Sequence, residues 1–219
     1  MNKPIQGVLF DLDGTLIDTY NIILASFRHT MKTLLGKDFP DEVLMQKVGQ
    51  PLTVQMWDFT SSQEVHDEML RVYREHNEAT HDSLVRSFAG VAECLQGIQA
   101  LGLPCGVVTS KRHELAQRGL DCTGLSPYIQ LLIGSDDCDV FKPEPGPVLK
   151  ACECFDLNPQ RCVYVGDSPF DMQAGNAAHC ISIAVLWGMF SQEALSAQNP
   201  NYLCTSPNEL LLLLRDLVK

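Results

Sequence analysis

Two aspartates one residue apart, Asp11 and Asp13, stand in the string Asp-Leu-Asp-Gly-Thr, directly after a short apolar run. Gly14 lets the chain turn tightly at this point. Paired carboxylates in such a turn can act as a nucleophile, as a general acid or base, or as metal ligands. A calcium loop would need a helix before the string and a glutamate at its twelfth position, which is Ile22 in this chain. The string therefore favours catalysis over calcium binding.

A second pair of aspartates, Asp167 and Asp171, follows another apolar run and opens a helical pattern. Carboxylates from two strand ends can gather at one place only if a cation offsets their repulsion. All-oxygen ligation with water kept on the ion suits Mg²⁺. Lys142 lies between the two pairs in the string Phe-Lys-Pro-Glu-Pro. Taken alone, Lys142 fits a rigid surface turn as well as it fits a catalytic site.

Two hydroxyl side chains, Thr109 and Ser110, end a further apolar run where the next helix is expected to begin. Hydroxyls and backbone N–H groups at a helix start can hold phosphoryl oxygens. A serine or threonine there can equally be a plain helix N-cap. The residues themselves leave both roles open.

Alternating apolar runs and amphipathic stretches predict an α/β fold with a parallel, doubly wound sheet. Ligands of such sheets bind at the carboxyl ends of the strands, where the residues described above lie. The expected strands are residues 7–10, 105–108, 130–133, 162–165 and 181–185, and the expected helices between them are 91–101, 147–155 and 170–178.

One stretch, residues 18–86, breaks this alternation and shows helical patterns alone, at 18–35, 52–59 and 63–81. We expect it to be a helical cap inserted into a core formed by residues 1–17 and 87–219. An insertion directly after the first strand would cover the carboxyl ends of the sheet, where a lid belongs.

Charge and composition exclude several classes of partner. The chain has 16 lysines and arginines against 27 aspartates and glutamates, a net charge of −11, whereas nucleic-acid surfaces need a basic footprint. The longest apolar run, Leu210 to Leu214, is far shorter than the roughly 20 residues of a membrane span. Nine cysteines, an odd number without regular spacing, indicate a reducing compartment, and we expect a cytoplasmic protein.

In this order, the strings around Asp11, Thr109, Lys142 and Asp167 resemble the haloacid dehalogenase (HAD) superfamily of phosphohydrolases. The similarity is to members with a helical, C1-type cap after the first motif, and it spans nearly the whole chain. It implies a Rossmann-like core with an inserted α-helical cap. The strings at Thr109 and Lys142 most resemble the phosphoglycolate phosphatase and pyrophosphatase branch.

The resemblance implies a role for each of these residues. Asp11 would attack the phosphorus and form an aspartyl-phosphate, Asp13 would be the acid and base, and Lys142 would offset negative charge. The phosphoryl group would contact three residues: Thr109, Ser110 and Gly14. Mg²⁺ would be held by Asp11, the backbone carbonyl of Asp13, Asp167 and Asp171, the last directly or through water.

The expected activity is Mg²⁺-dependent hydrolysis of a small phosphorylated metabolite or of pyrophosphate. A phosphomutase of the β-phosphoglucomutase type is one alternative, although such enzymes usually carry Glu-Asp where this chain has Gly166-Asp167. A catalytically silent binding protein of the same fold is another. The stretch from Val48 to Leu52 resembles the cap loop that reaches towards substrate. Candidate cap contacts for an anion are Lys47, Gln50, Arg71, Arg74 and Arg86; the sequence does not select among them, and it leaves the oligomeric state open.

Overall fold

The computed structural model describes residues 4–219. Eight strands are present in this part of the chain: β1 (Gly7–Phe10), β2 (Ile17–Asp18), β3 (Arg86–Ser87), β4 (Cys105–Val108), β5 (Leu131–Ile133), β6 (Cys162–Gly166), β7 (Ile181–Val185) and β8 (Tyr202–Cys204).

Ten α-helices accompany them, together with three short 3₁₀ turns at Met56–Asp58, Ser126–Tyr128 and Pro159–Arg161. The helices are α1 (Tyr20–Leu35), α2 (Asp41–Met45), α3 (Leu52–Gln55), α4 (Gln63–Leu84), α5 (Val91–Ala100), α6 (His113–Cys122), α7 (Gly146–Cys154), α8 (Pro169–Ala177), α9 (Gln192–Ser196) and α10 (Pro207–Leu217).

Six strands form one parallel sheet in the order β5-β4-β1-β6-β7-β8. Successive side chains of β1 point to opposite faces: Val8 and Phe10 join the core cluster that includes α5 and α10, and Leu9 joins the cluster beneath α7 and α8. The predicted α/β fold with a parallel, doubly wound sheet is therefore confirmed. The chain leaves β1 for β4 and β5 on one side and later crosses to β6 on the other, so the switch point lies beside β1.

Four helices, α1 to α4, lie between β2 and β3 and are called the cap helices below. They have an apolar core of their own, which includes Phe27, Met56 and Met69. The chain enters and leaves them through a two-stranded antiparallel ribbon, in which Ile17 pairs with Ser87. The division into a core of 1–17 and 87–219 and a cap of 18–86 agrees with this course of the chain but stays a prediction.

Several elements differ from the sequence-based expectation. Residues 52–59 were expected to be one helix but form α3 and a 3₁₀ turn, and the two short strands β2 and β3 lie at the ends of the stretch expected to be helical. The edge strand β8 was not predicted. Within residues 4–219, no helix combines the length and the apolar character that crossing a membrane requires.

Candidate active site

Three aspartates meet at the carboxyl edge of the sheet. Asp11 follows β1, Asp167 follows the neighbouring strand β6, and Asp171 lies in the first turn of α8. One carboxylate oxygen from each lies within 4.8 Å of the other two. All three side chains are buried, with exposures of 3%, 2% and 0% for the whole residues. The structure thus brings together three of the four predicted metal ligands through their carboxylates.

Lys142 neutralises part of this cluster. Its Nζ donates hydrogen bonds to Asp11 Oδ1 at 2.7 Å and to Asp171 Oδ1 at 2.6 Å, and the residue is 1% exposed. A lysine that is completely enclosed with two carboxylates is not the surface lysine of a rigid turn. One ammonium group cannot balance three ionised carboxylates. A further positive charge would therefore stabilise the buried cluster.

Burial shapes the protonation of this group. Burial, together with the charge of Asp171, raises the pKa of Asp11 to about 7, although Lys142 opposes the shift. Burial and the charge of Asp11 also hold the pKa of Asp167 well above its ordinary value. For Lys142, burial favours the neutral amine, but the neighbouring carboxylates outweigh it and raise the pKa. Without a cation, the cluster therefore favours taking up a proton, and its all-oxygen donor set fits Mg²⁺.

Neighbouring groups fix Asp167 in place. Its Oδ1 accepts a hydrogen bond from Thr15 Oγ1 at 3.0 Å, and its Oδ2 accepts one from the backbone N–H of Met189 at 2.8 Å. Gly14 has a φ of 88°, and a Cβ there would lie 2.2 Å from Asp167 Oδ2. The N–H of Gly14 donates to the carbonyl of Ile17 at 2.8 Å. Gly14 thus makes room for Asp167, and its predicted contact with substrate stays a prediction.

The start of α8 holds Asp171. Ser168 is the N-cap, and its hydroxyl accepts the N–H of Asp171 while donating to Asp171 Oδ2 at 2.5 Å. The Ser168 N–H donates to the same oxygen at 3.0 Å, and the Tyr164 hydroxyl donates to Oδ1 at 3.1 Å. Asp171 is therefore both part of the helix cap and part of the carboxylate cluster.

Asp13 lies beside the cluster, and its carboxylate is outside it. Its Oδ1 accepts hydrogen bonds from Lys111 Nζ at 2.7 Å and from Thr19 Oγ1 at 2.8 Å. The side chain faces the same cleft as Asp11. This placement suits a proton-transferring group near Asp11, and the metal contact expected of the Asp13 carbonyl stays a prediction.

The two predicted hydroxyl residues also line this cleft. The N–H of Thr109 donates to the carbonyl of Ile133 at 2.9 Å, which continues the pairing of β4 with β5. The Ser110 hydroxyl donates to the carbonyl of Gly49 at 2.5 Å and so connects the sheet edge to the loop between α2 and α3. Ser110 contacts the cap loop here, and the predicted phosphoryl contacts of both residues stay predictions.

The cleft between the sheet edge and the cap helices has a volume of about 140 Å³. Of the five cap residues considered as anion contacts, Gln50 and Arg74 line it. The other three are engaged elsewhere: Lys47 pairs with Asp58, Arg71 pairs with Glu68 and Glu75, and Arg86 donates to the carbonyls of Ser83 and Val85. All five residues of the stretch from Val48 to Leu52 line the cleft, and their predicted approach to substrate stays a prediction.

Sequence reasoning missed the residues that support the site. No role was predicted for Lys111 or for Thr15, although each binds an aspartate of the site. The contact from Lys111 to Asp13 joins residues 98 positions apart, and that from Thr15 to Asp167 joins residues 152 apart. The contact from Lys111 to Asp13 could have been anticipated from the sequence. Lys111 comes directly after Thr109 and Ser110, which places it at the same edge of the sheet as Asp13.

The model of the haloacid dehalogenase-like hydrolase family matches residues 8–185, which include every aspartate of the cluster and Lys142. The chain belongs to this family. It is therefore an enzyme, a phosphatase of the HAD type, as the sequence predicted.

Curated relatives of this enzyme cover almost the whole chain. A protein of Caldanaerobacter subterraneus with the provisional name pyrophosphatase PpaX is 38% identical over 211 residues, 96% of this chain and 95% of its own. Pyrophosphatase PpaX of Bacillus velezensis is 33% identical over 210 residues, 96% of each chain.

Solved structures share the fold. The crystal structure of a predicted phosphatase from Clostridium acetobutylicum has a TM-score of 0.88 at 24% identity and covers 98% of this chain and 100% of its own. That of a predicted phosphoglycolate phosphatase from Haemophilus somnus has a TM-score of 0.87 at 21% identity, covering 95% and 97%.

Proposed function

We propose that this phosphatase depends on Mg²⁺ and hydrolyses a small phosphate monoester or pyrophosphate through an aspartyl-phosphate on Asp11. One observation supports this above all: three buried carboxylates and one buried lysine converge at the switch point of the sheet. The names of the curated relatives agree with pyrophosphate as a substrate. We place the enzyme in the cytoplasm, on the cysteine usage described above.

Asp11 is the proposed nucleophile. Lys142 binds its Oδ1, while its other oxygen accepts no hydrogen bond from residues 4–219 and the side chain lines the cleft. That oxygen attacks the phosphorus, the bond from phosphorus to the leaving oxygen breaks, and Asp13 gives a proton to the leaving group. Lys142 stays protonated and offsets charge on Asp11 and on the phosphoryl oxygens.

Asp13 then takes a proton from a water molecule, which attacks the phosphorus of the aspartyl-phosphate. The bond from Asp11 to phosphorus breaks, inorganic phosphate is released and both carboxylates return to their first state. Lys111 and Thr19 hold Asp13 in one orientation for both steps. Bound at Asp11, Asp167, Asp171 and the Asp13 carbonyl, Mg²⁺ would neutralise the negative charge of the phosphoryl group.

The surroundings of Gly166 favour hydrolysis over the phosphomutase alternative. A Cβ at this position would lie 2.3 Å from the Cβ of Asp171 and 2.5 Å from its Cγ. The glutamate that such mutases usually carry here could not be accommodated unless Asp171 moved. The chain therefore departs from the Glu-Asp pattern of these mutases at a position that the packing of Asp171 requires to be small.

The decisive experiment measures phosphate release from pyrophosphate, phosphoglycolate, hexose phosphates and p-nitrophenyl phosphate, with Mg²⁺ and with EDTA. We expect turnover with Mg²⁺ alone and none in Asp11→Asn, whose circular dichroism should match that of the wild type. Activity retained by Asp11→Asn would disprove the covalent mechanism. A folded wild type that is silent on the whole panel would support the binding-protein alternative, and interconversion of sugar phosphates would support the mutase.

A further inference from the structure

Arg74, on the cap helix α4, differs from the other arginines near the cleft. It is half-buried and lines the cleft, yet within residues 4–219 it pairs with no carboxylate and donates no side-chain hydrogen bond. The neighbouring Arg71 binds Glu68 and Glu75, and Arg112 binds Glu78 at 2.7 Å. A guanidinium partly withdrawn from water without a counter-charge carries a desolvation cost that an anion in the cleft would offset.

The charged groups around Arg74 also leave its positive charge uncompensated. Burial lowers its pKa, and the positive charge of Arg112 lowers it further, while Glu78 acts in the opposite sense. Glu78 is already paired with Arg112, so it does not neutralise the cleft wall. Two guanidiniums, one from the cap and one from the start of α6, therefore border the same small space.

The cleft separates Arg74 from the reacting groups. Asp11 and Asp13 lie on the side of the sheet edge, whereas Arg74 projects from α4, so a substrate bound at Asp11 extends its leaving group towards the cap. Apolar side chains, among them Ile23 and Leu52, line the same cleft and reduce the screening of charges within it. The volume of about 140 Å³ suits a leaving group of only a few atoms.

We infer that Arg74 is a specificity-determining residue that binds a negative charge on the leaving group, either a second phosphate or a carboxylate a few bonds from the reacting phosphorus. This inference rests on the proposed function and goes beyond it, because it selects a substrate class: compact phosphates whose leaving group is itself an anion. Uncharged alcohols of the same size gain nothing from Arg74.

The test compares substrates that differ in this charge: pyrophosphate and phosphoglycolate against 2-hydroxyethyl phosphate, which has the size of phosphoglycolate without its carboxylate. Wild type should prefer the first two. In Arg74→Gln, kcat/KM for them should fall about 10- to 100-fold, the usual effect of one charged hydrogen bond, with 2-hydroxyethyl phosphate changed by less than about twofold. Arg74→Lys should retain part of the preference.

Arg71→Gln is the matched control, since it removes the same charge one turn away on α4, outside the cleft, and should leave the preference unchanged. An equal loss for all substrates in Arg74→Gln, or a wild type without preference, would overturn the inference.

A binding measurement separates this inference from the proposed function. Calorimetry with Mg²⁺ compares methylenediphosphonate, which has a second anionic group and is not hydrolysed, with methylphosphonate. Wild type should bind the diphosphonate more tightly, and Arg74→Gln should lose most of that difference. An enzyme without turnover that still shows this pattern would refute the proposed function and support the role of Arg74. Equal changes in affinity for both phosphonates would refute that role.

Discussion

At the scale of single residues, the site is a balance of buried charges. The raised pKa of Asp11, about 7 against an ordinary 3.8, means that the folded protein binds a proton more tightly than the unfolded chain between these two values. In that window the folded state carries more protons, so stability falls as the pH rises. The loss of stability arises because ionised Asp11 is buried beside Asp171. A bound cation would offset this unfavourable free energy.

We therefore predict that, in EDTA, the free energy of unfolding of the wild type falls from about pH 4 to about pH 7 relative to that of Asp11→Asn, which does not titrate at this position. Mg²⁺ should reduce this difference in pH dependence. Urea denaturation at a series of pH values measures both effects. If the stability curves of the two proteins in EDTA ran parallel with pH, the pKa of Asp11 would not be raised by its burial, and the prediction would be wrong.

At the scale of elements, the first turn of α8 both caps a helix and holds a functional carboxylate. Ser168→Ala removes the N-cap bond and the hydroxyl that donates to Asp171 at 2.5 Å. We expect a loss of about 1 kcal/mol in the free energy of unfolding, together with a fall of about tenfold or more in kcat/KM because Asp171 is less well positioned.

The chain supplies a matched control in α10. Ser206 caps that helix in the same Ser-Pro-x-acid pattern and accepts the N–H of Glu209 at 3.2 Å. Ser206→Ala should lose similar stability and keep the activity of the wild type. If both variants had the same activity, Ser168 would act only as a helix cap.

At the scale of the whole molecule, the cap helices meet the sheet edge through the loop at Gly49. Its φ is 105°, and a Cβ there would lie 2.8 Å from Ser168 Oγ and 3.1 Å from Phe170 Cδ2. Gly49→Ala should push this loop away and weaken the bond from Ser110 to the Gly49 carbonyl. We expect kcat/KM to fall about tenfold or more, because the loop lines the cleft.

Gly36→Ala is the control for Gly49→Ala, because it introduces backbone strain at a positive φ without a steric contact. Gly36 also has a positive φ, 63°, but no atom lies within 4 Å of the point that a Cβ would occupy there. We expect this variant to lose about 1 kcal/mol of stability and no activity. Steady-state kinetics with thermal unfolding measures both variants, and an unaltered kcat/KM in Gly49→Ala would argue against a role of the loop in the reaction.

The apolar runs and the residues that follow them were enough to predict the class of the fold and the main parts of the site. Short continuous apolar runs such as β1 and β6 fit strands covered on both faces, and in a parallel sheet the polar residues after them lie at one edge. Asp11 and Asp167 could be placed together for this reason. The family resemblance added roles to them, and the match of the family model over residues 8–185 agrees with it.

The partner of each buried or cleft-lining charge could be identified only in the folded chain. Lys142 could have been a surface residue until its burial with Asp11 and Asp171 was seen, and Arg74 could not be told from Arg71 until one lay in the cleft and the other beside two glutamates. Local sequence pattern records which face of a helix is apolar. It does not show which polar side chains, distant in the sequence, contact each other. Those contacts depend on how the cap helices pack on the sheet.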